Sequence, residues 1–309
     1  MVARQRAQGF DDPSVPHPAR RYNYWLGGRE NYKADRASGD AVAAAMPTIR
    51  KGIEENRAFL RRVVRYMTDA GIRQFIDVGP GIPAPDCTHE VAQAIAPDTR
   101  VLYVDNDPVV IAYSRALLRS AAIPSAGTEE DEIELSHGLP PGSQIEEAEV
   151  EGDRGLIGHV LSDLCDSERI LESSETRAVI DFTRPVGLLL VAVAHFCVDD
   201  EALYPAVARL IDALPAGSLV AFSHATADYV DPRIVSRVDD ALADHNSAFR
   251  WRYTFECARF AEGLEYVEPG LVPVAEWHSE GEPEPRPSAA DVGICAWVAR
   301  KPEPVAAAV

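Results

Sequence analysis

The chain has 309 residues, 46% of them hydrophobic and 7% aromatic, enough to bury a full core in one large α/β domain with an appendage. Asp and Glu total 49 against 30 Lys and Arg, and the resulting net charge of −19 repels phosphate backbones and anionic lipid, so neither nucleic acid nor membrane is an expected partner. No apolar run reaches the roughly 20 residues of a membrane helix, and the N-terminal segment lacks a signal-peptide pattern, so a cytoplasmic location is expected. The five cysteines (Cys87, Cys165, Cys197, Cys257 and Cys295) are widely spaced, without a C-x-x-C pair, and are expected to be reduced thiols.

Residues 1–18 hold three prolines and no apolar period, which predicts a flexible arm. A helical region is expected over 19–70. Within it, ENRAFLRRVVRYMTDAG places Phe59, Leu60, Val63, Val64 and Met67 at helical spacing, with Gly71 as the stop. From 71 to 301 strand and helix signals alternate. RQFIDVG, RVLYVDND, GLIGHVLSDL, PVGLLLVAVAHF and GSLVAFSHAT read as strands. THEVAQAIAPD, PVVIAYSRALLRSA, SERILESSETRAVI and DEALYPAVARLIDALP read as the helices between them. Helical residues from Tyr253 to Ala261 follow, then LEYVEPGLV and DVGICAWVARK as the last two strands. Such alternation implies βαβ crossovers and a mainly parallel sheet covered on both faces. The apolar run from Val186 to Ala194 marks a central strand. An acidic insertion is expected over 125–153, a long connection at SEGEPEPRPSA, and a short tail over 302–309.

In a doubly wound sheet, ligands sit beyond the carboxyl ends of the strands. The first strand exits through D-V-G-P-G-I-P, placing Asp77, Gly79 and Gly81 there. The second ends in Asp105-Asn106, where a carboxylate can accept from both hydroxyls of an adenosine ribose. The third ends in Asp163-Leu164, suited to an adenine amino group and ring edge, and Val193 closes the exit of the central strand. Two cofactor classes fit. A nicotinamide site needs backbone N–H groups for a pyrophosphate, and Pro80, Pro83 and Pro85 remove them. Asp77 is a poor neighbour for phosphate and a good one for a cationic amino-acid group. The charge logic favours S-adenosylmethionine, with S-adenosylhomocysteine as product, over NAD.

The segments YNYWLGGRENYKADR, ENRAFLRRVVRYM, GIRQFIDVGPGIPA, VLYVDNDPVV, PVGLLLVAVAHF and SHATAD resemble a family of actinobacterial S-adenosylmethionine-dependent methyltransferases, once catalogued as a domain of unknown function. The resemblance runs from about Tyr22 to Asp228 and departs from the family pattern at Asn23 and Trp25. It implies a class I methyltransferase fold: a Rossmann-like three-layer αβα sandwich, a seven-stranded mostly parallel sheet with an antiparallel last strand, and an N-terminal helical extension. It also implies that Asp77, Gly79 and Gly81 form the cofactor loop, Asp105 the ribose acid and Asp163 the adenine contact.

Tyr22, Tyr24, Gly28 and Asn31 belong to an aromatic cluster around a glycine pair, readable either as a lid over the site or as packing of the N-terminal helices. Methyl transfer from a sulfonium is an in-line displacement, which needs a base only if the acceptor loses a proton. His195, after the central strand, and His224, after the fifth, stand at the ligand-binding edge, His195 as candidate base and His224 as candidate substrate contact. Each is equally readable as a strand-end histidine bonded to backbone. No metal-ligand spacing is present, so no metal is expected. The expected activity is methyl transfer to a small-molecule acceptor. A binding protein using the same pocket without turnover, or an NAD(P)-dependent oxidoreductase, are the alternatives.

Overall fold

A computed structural model describes residues 12–117 and 155–303. The expected acidic insertion at 125–153, the first part of the arm and the end of the tail lie outside the described residues.

Three helices come first: α1 (Pro18–Trp25), α2 (Lys33–Ala45) and α3 (Ile49–Asp69). The sheet units follow as β1 (Gln74–Val78), α4 (Thr88–Ile95), β2 (Arg100–Asp105), α5 (Pro108–Leu117) and β3 (Ile157–Leu161). Next come α6 (Ser167–Glu172), α7 (Ser174–Val179), β4 (Gly187–Val191), α8 (Asp200–Ala213) and β5 (Leu219–Ala225). The chain closes with α9 (Pro232–Ala243), α10 (Thr254–Ala258), β6 (Glu265–Tyr266), β7 (Val272–Pro273), α11 (Ala289–Val292) and β8 (Ile294–Arg300). Single 3₁₀ turns sit at Ala194–Phe196 and Arg259–Ala261.

The strand order is β3-β2-β1-β4-β5-β8-β6, with β7 also on β8. Strands β1 to β5 pair in parallel, and β8 runs antiparallel to β5, pairing Phe222 with Trp297. The mostly parallel sheet with an antiparallel last strand is thus as expected. The count differs: the LEYVEPGLV segment forms two separate two-residue strands, because Pro269 and the positive-φ Gly270 turn the chain between them. Strand order reverses between β1 and β4, which opens a crevice at their carboxyl ends.

Period-two alternation divides the core. Ile76, Leu102, Leu188, Leu190 and Phe222 face one layer with Leu203, Val207 and Leu210 of α8. Phe75, Tyr103, Leu189 and Ala221 face the other, with Phe59, Val63 and Met67 of α3 and with Trp277. β4 is buried at Gly187–Leu190, as a central strand requires. A third cluster joins Trp25, Val42 and Met46 to Val238 and Leu242 of α9.

Three local expectations are corrected. The SERILESSETRAVI helix is two short helices, because the Ser173 side chain accepts from the Thr176 N–H and starts a new one. The α9 helix was not foreseen, although Asp231 caps it by accepting from the Arg233 N–H and Pro232 occupies its first turn. Cys165 and Cys197, in the loops after β3 and β4, are paired as a disulfide rather than both reduced; Cys87, Cys257 and Cys295 are free thiols. No described helix is long and apolar enough to cross a membrane.

Candidate functional site

A cavity of about 340 Å³ lies at the carboxyl ends of β1, β2, β3 and β4. The glycine loop forms its floor. Gly79 has φ of 73° and Gly81 of 67°, both in the left-handed region. A Cβ on Gly79 would stand 2.4 Å from Val193 Cγ2, so this crossing of the β1 and β4 exits requires glycine. A Cβ on Gly81 would have only Ala19 Cβ within 4 Å, and would project into the crevice. The Gly79 N–H donates to the Val104 carbonyl at 2.7 Å, tying the loop to β2.

The acids foreseen at the strand ends converge here. Asp77, Asp105, Asn106, Asp163, Leu164 and Val193 all line the cavity with the two glycines. Asp77 Oδ2 accepts from the Thr88 hydroxyl at 2.6 Å. Burial pushes its carboxyl up to about 6, against the Thr88 bond and the Arg57 charge. Asp105 Oδ1 accepts from the Asp107 N–H at 2.9 Å and Oδ2 from the Gly81 N–H at 3.3 Å. Burial is also the largest influence on its carboxyl, pushed up to about 7. Asn106 Nδ2 donates to Asp163 Oδ2 at 2.9 Å, bridging the β2 and β3 exits. Asp163 Oδ1 accepts from the Cys165 N–H at 2.9 Å.

The N-terminal helices supply the opposite wall. Tyr22 lines it, while Tyr24, Gly28 and Asn31 stand away from it. The Tyr24 hydroxyl donates to Asp40 at 2.8 Å, and Asn31 Nδ2 donates to Asn23 Oδ1 at 3.0 Å and to the Gly28 carbonyl at 2.9 Å. Those three residues therefore brace the segment rather than face the site. Tyr22 is itself fixed by a relay. The Ala192 N–H donates to Ser223 Oγ (3.0 Å), Ser223 Oγ to Asn56 Oδ1 (2.6 Å), Asn56 Nδ2 to the Tyr22 hydroxyl (3.1 Å), and that hydroxyl to the Ile53 carbonyl (3.3 Å).

Val15, Pro16 and His17 also line the cavity, so the last part of the expected arm is wall. It is held by Asp35, whose Oδ1 accepts from the His17 N–H at 2.8 Å and whose Oδ2 accepts from Arg20 Nε at 2.9 Å. Arg20 and Arg21 are buried, the latter donating to Ser38 and Ser247, so these two arginines serve the interior rather than the surface.

The two histidines are corrected in place: neither lines the cavity. The His195 ring is buried between Phe196 and Phe249 with centroids at 4.3 and 5.0 Å. Desolvation, then the charges of His224, Arg252 and Arg21, hold it well below the ordinary imidazole value, so it is neutral. Arg252 Nη1 donates to His224 Nε2 at 2.9 Å, so Nδ1 carries the proton and donates to the Ala225 carbonyl at 2.6 Å. His17, which does line the cavity, is driven down to about 4 by burial and by Arg20 and Arg21.

Sequence reasoning missed Asn56 and Arg57 of α3, Phe196, and the Asn246–Ala248 loop. Asn56 had a signal: it is a polar residue between Ile53 and Leu60 on an apolar helix face, and such a residue must find buried partners. Cys87, His89 and Glu90 come together at the start of α4, but the Cys87 thiol is pushed up to about 12, chiefly by burial, which disfavours a thiolate ligand.

A family model described as S-adenosyl methyltransferase matches residues 4–129 and 146–302. The structure is similar to that of a DUF574 family protein from Streptomyces avermitilis, with 36% identity and a TM-score of 0.78 over 94% of this chain and 99% of that one. It is also similar to a candidate methyltransferase from Thermobifida fusca, with 31% identity and a TM-score of 0.76 over 96% and 98% of the two chains. A search among curated proteins returns no match.

Proposed function

The chain belongs to the S-adenosyl methyltransferase family, an S-adenosylmethionine-dependent methyltransferase by membership, and on that premise we propose how the cavity divides between cofactor and a small-molecule acceptor. The observation that carries the cofactor half is charge. Among the described lining residues three carboxylates, Asp77, Asp105 and Asp163, face one guanidinium, Arg57. That field opposes a pyrophosphate and suits a ligand bearing an ammonium and a sulfonium. Asp105 accepts from the ribose hydroxyls, Asp163 accepts from the adenine amino group with Leu164 against the ring, and Asp77 faces the amino-acid end. The open space beyond Gly81 is where a nucleoside approaches the backbone.

When bound, S-adenosylmethionine supplies an activated methyl group for in-line displacement. The residues left to the acceptor are Val15, Pro16, Tyr22, Leu26, Phe196 and the Asn246–Ala248 loop, a neutral and largely apolar wall. Such a wall excludes water and orients an uncharged small molecule. With His195 and His224 behind the wall and His17 driven down to about 4, positioning takes precedence over an imidazole base in this assignment.

Calorimetry with S-adenosylhomocysteine and NAD tests the cofactor half: S-adenosylhomocysteine should bind and NAD should not, and the reverse result would overturn it. For the acceptor half, methyl incorporation from labelled S-adenosylmethionine should partition with small metabolites. Label recovered in RNA, DNA or protein instead would reject the small-molecule assignment.

A further inference from the structure

Cys165, in the loop after β3, and Cys197, in the loop after β4, are joined by a disulfide that links positions 32 residues apart. In the sheet β2 and β1 lie between β3 and β4, so the joined loops leave strands three spacings apart, about 14 Å. Both loops line the cavity. Ser162, Asp163 and Leu164 come from the first, and Val193, Phe196 and Cys197 itself come from the second.

Each loop has its own anchor. The Cys165 N–H donates to Asp163 Oδ1 at 2.9 Å, and Asn106 Nδ2 donates to Asp163 Oδ2 at 2.9 Å, which ties the first loop to the β2 exit. Arg252 holds the second loop, with Nη2 donating to the Cys197 carbonyl at 2.9 Å and Nη1 to the Ala194 carbonyl at 3.1 Å. The disulfide couples these two anchored loops and so fixes the separation of their lining side chains. A chain of this length buries a full core without such a bond. Because it joins loops rather than strands or helices, its effect falls on the cavity. Cys165 is only partly buried, so an external thiolate can reach its sulfur, whereas the three free cysteines are buried.

Resting on the cofactor reading above, we propose that Cys165 and Cys197 form a redox-sensitive clasp on the cofactor site. The disulfide holds the two loops at the separation that fits the nucleoside, and reduction lets them part and weakens cofactor binding. The reductant is a dithiol. One of its thiolates attacks Cys165 Sγ, the bond between the cysteines breaks, and Cys197 leaves as a thiolate that takes up a proton. The second thiol of the reductant then displaces Cys165 from the mixed disulfide. The chain gains two electrons and two protons, and the reductant becomes a disulfide.

The test is calorimetry with S-adenosylhomocysteine on the full chain when oxidised, when reduced by dithiothreitol, and when reoxidised. Thiol titration in denaturant should find three thiols in the oxidised form and all five in the reduced form. Reduction should weaken binding at least about fivefold, the scale of one or two lining side chains left to be ordered by the ligand, and reoxidation should restore it. The Cys165→Ser/Cys197→Ser double variant should bind as weakly as reduced wild type and ignore the reductant. Far-UV circular dichroism of the two wild-type forms should coincide. Equal affinities in both forms, five thiols persisting after oxidation, or unfolding on reduction would each overturn the clasp. Wild-type protein binding S-adenosylhomocysteine in neither form would overturn the cofactor reading itself, and this proposal with it.

Discussion

The backbone N–H of Gly81 donates to Asp105 Oδ2 at 3.3 Å, joining the loop after β1 to the acid at the end of β2. One bond thus presets the distance between the glycine floor and the Asp105 carboxyl before any ligand arrives.

Burial pushes the Asp105 carboxyl up to about 7, with the Asp107 charge acting in the same direction and backbone donors from Asp107, Gly81 and Asn106 opposing it. The native state therefore holds a proton that the unfolded chain releases near 3.8. The stabilisation this brings is complete below that unfolded value and is lost as pH rises through about 7. Asp105→Asn removes this contribution, so its unfolding free energy should fall less steeply than that of wild type between about pH 5 and about pH 8 in urea titrations. Identical slopes would reject the assignment. Because an ionised carboxylate accepts more strongly than a protonated one, wild-type affinity for S-adenosylhomocysteine should also rise over the upper part of that range.

Gly79→Ala forces a left-handed alanine whose Cβ meets Val193 Cγ2 at 2.4 Å. The expected cost is about 1–3 kcal/mol, visible as a fall in melting temperature, together with loss of S-adenosylhomocysteine binding as the β1 and β4 exits separate. Wild-type melting and wild-type affinity together would show that the crossing tolerates a side chain.

Asp35 is fully buried and holds three groups at once: Arg20, the His17 N–H and the Tyr32 N–H. Asp35→Ala removes the buried carboxylate that the Arg20 guanidinium donates to, at a cost of about 3–5 kcal/mol. Chemical denaturation should show that loss, and cofactor affinity should fall with it, because Val15 to His17 lose their anchor. Replacing Arg20 and Asp35 together by Met and Leu should recover much of the stability. A single-variant loss below about 1 kcal/mol would contradict the burial of this pair.

That Asp77, Gly79, Gly81, Asp105 and Asp163 meet at one cavity was legible along the chain, because each sits at or beside a strand end and strand ends are marked by local signals. The apolar period stops at Asp77, Asp105 and Asp163, and Gly79 and Gly81 announce a turn. The acceptor half was not legible in the same way. Asn56 and Arg57 lie within a helix whose pattern reports only which face is buried, and nothing local says that the face closes a cavity. His195 and His224 mislead for the opposite reason. His195 follows β4 and His224 lies at the end of β5, but aromatic packing turns one ring into the interior and Arg252 holds the other.

By itself the sequence determined the alternation of strands and helices, the glycine loop and the three acids, since each depends on periodicity or turn chemistry within a few residues. Tertiary structure alone decided that α9 packs on α2, that Val15 to Ala19 and α3 wall the cavity, that Cys165 meets Cys197, and that the histidines stand behind it. Those relationships depend on sheet order and helix docking, which bring together side chains far apart in the chain, and no local period encodes such a meeting.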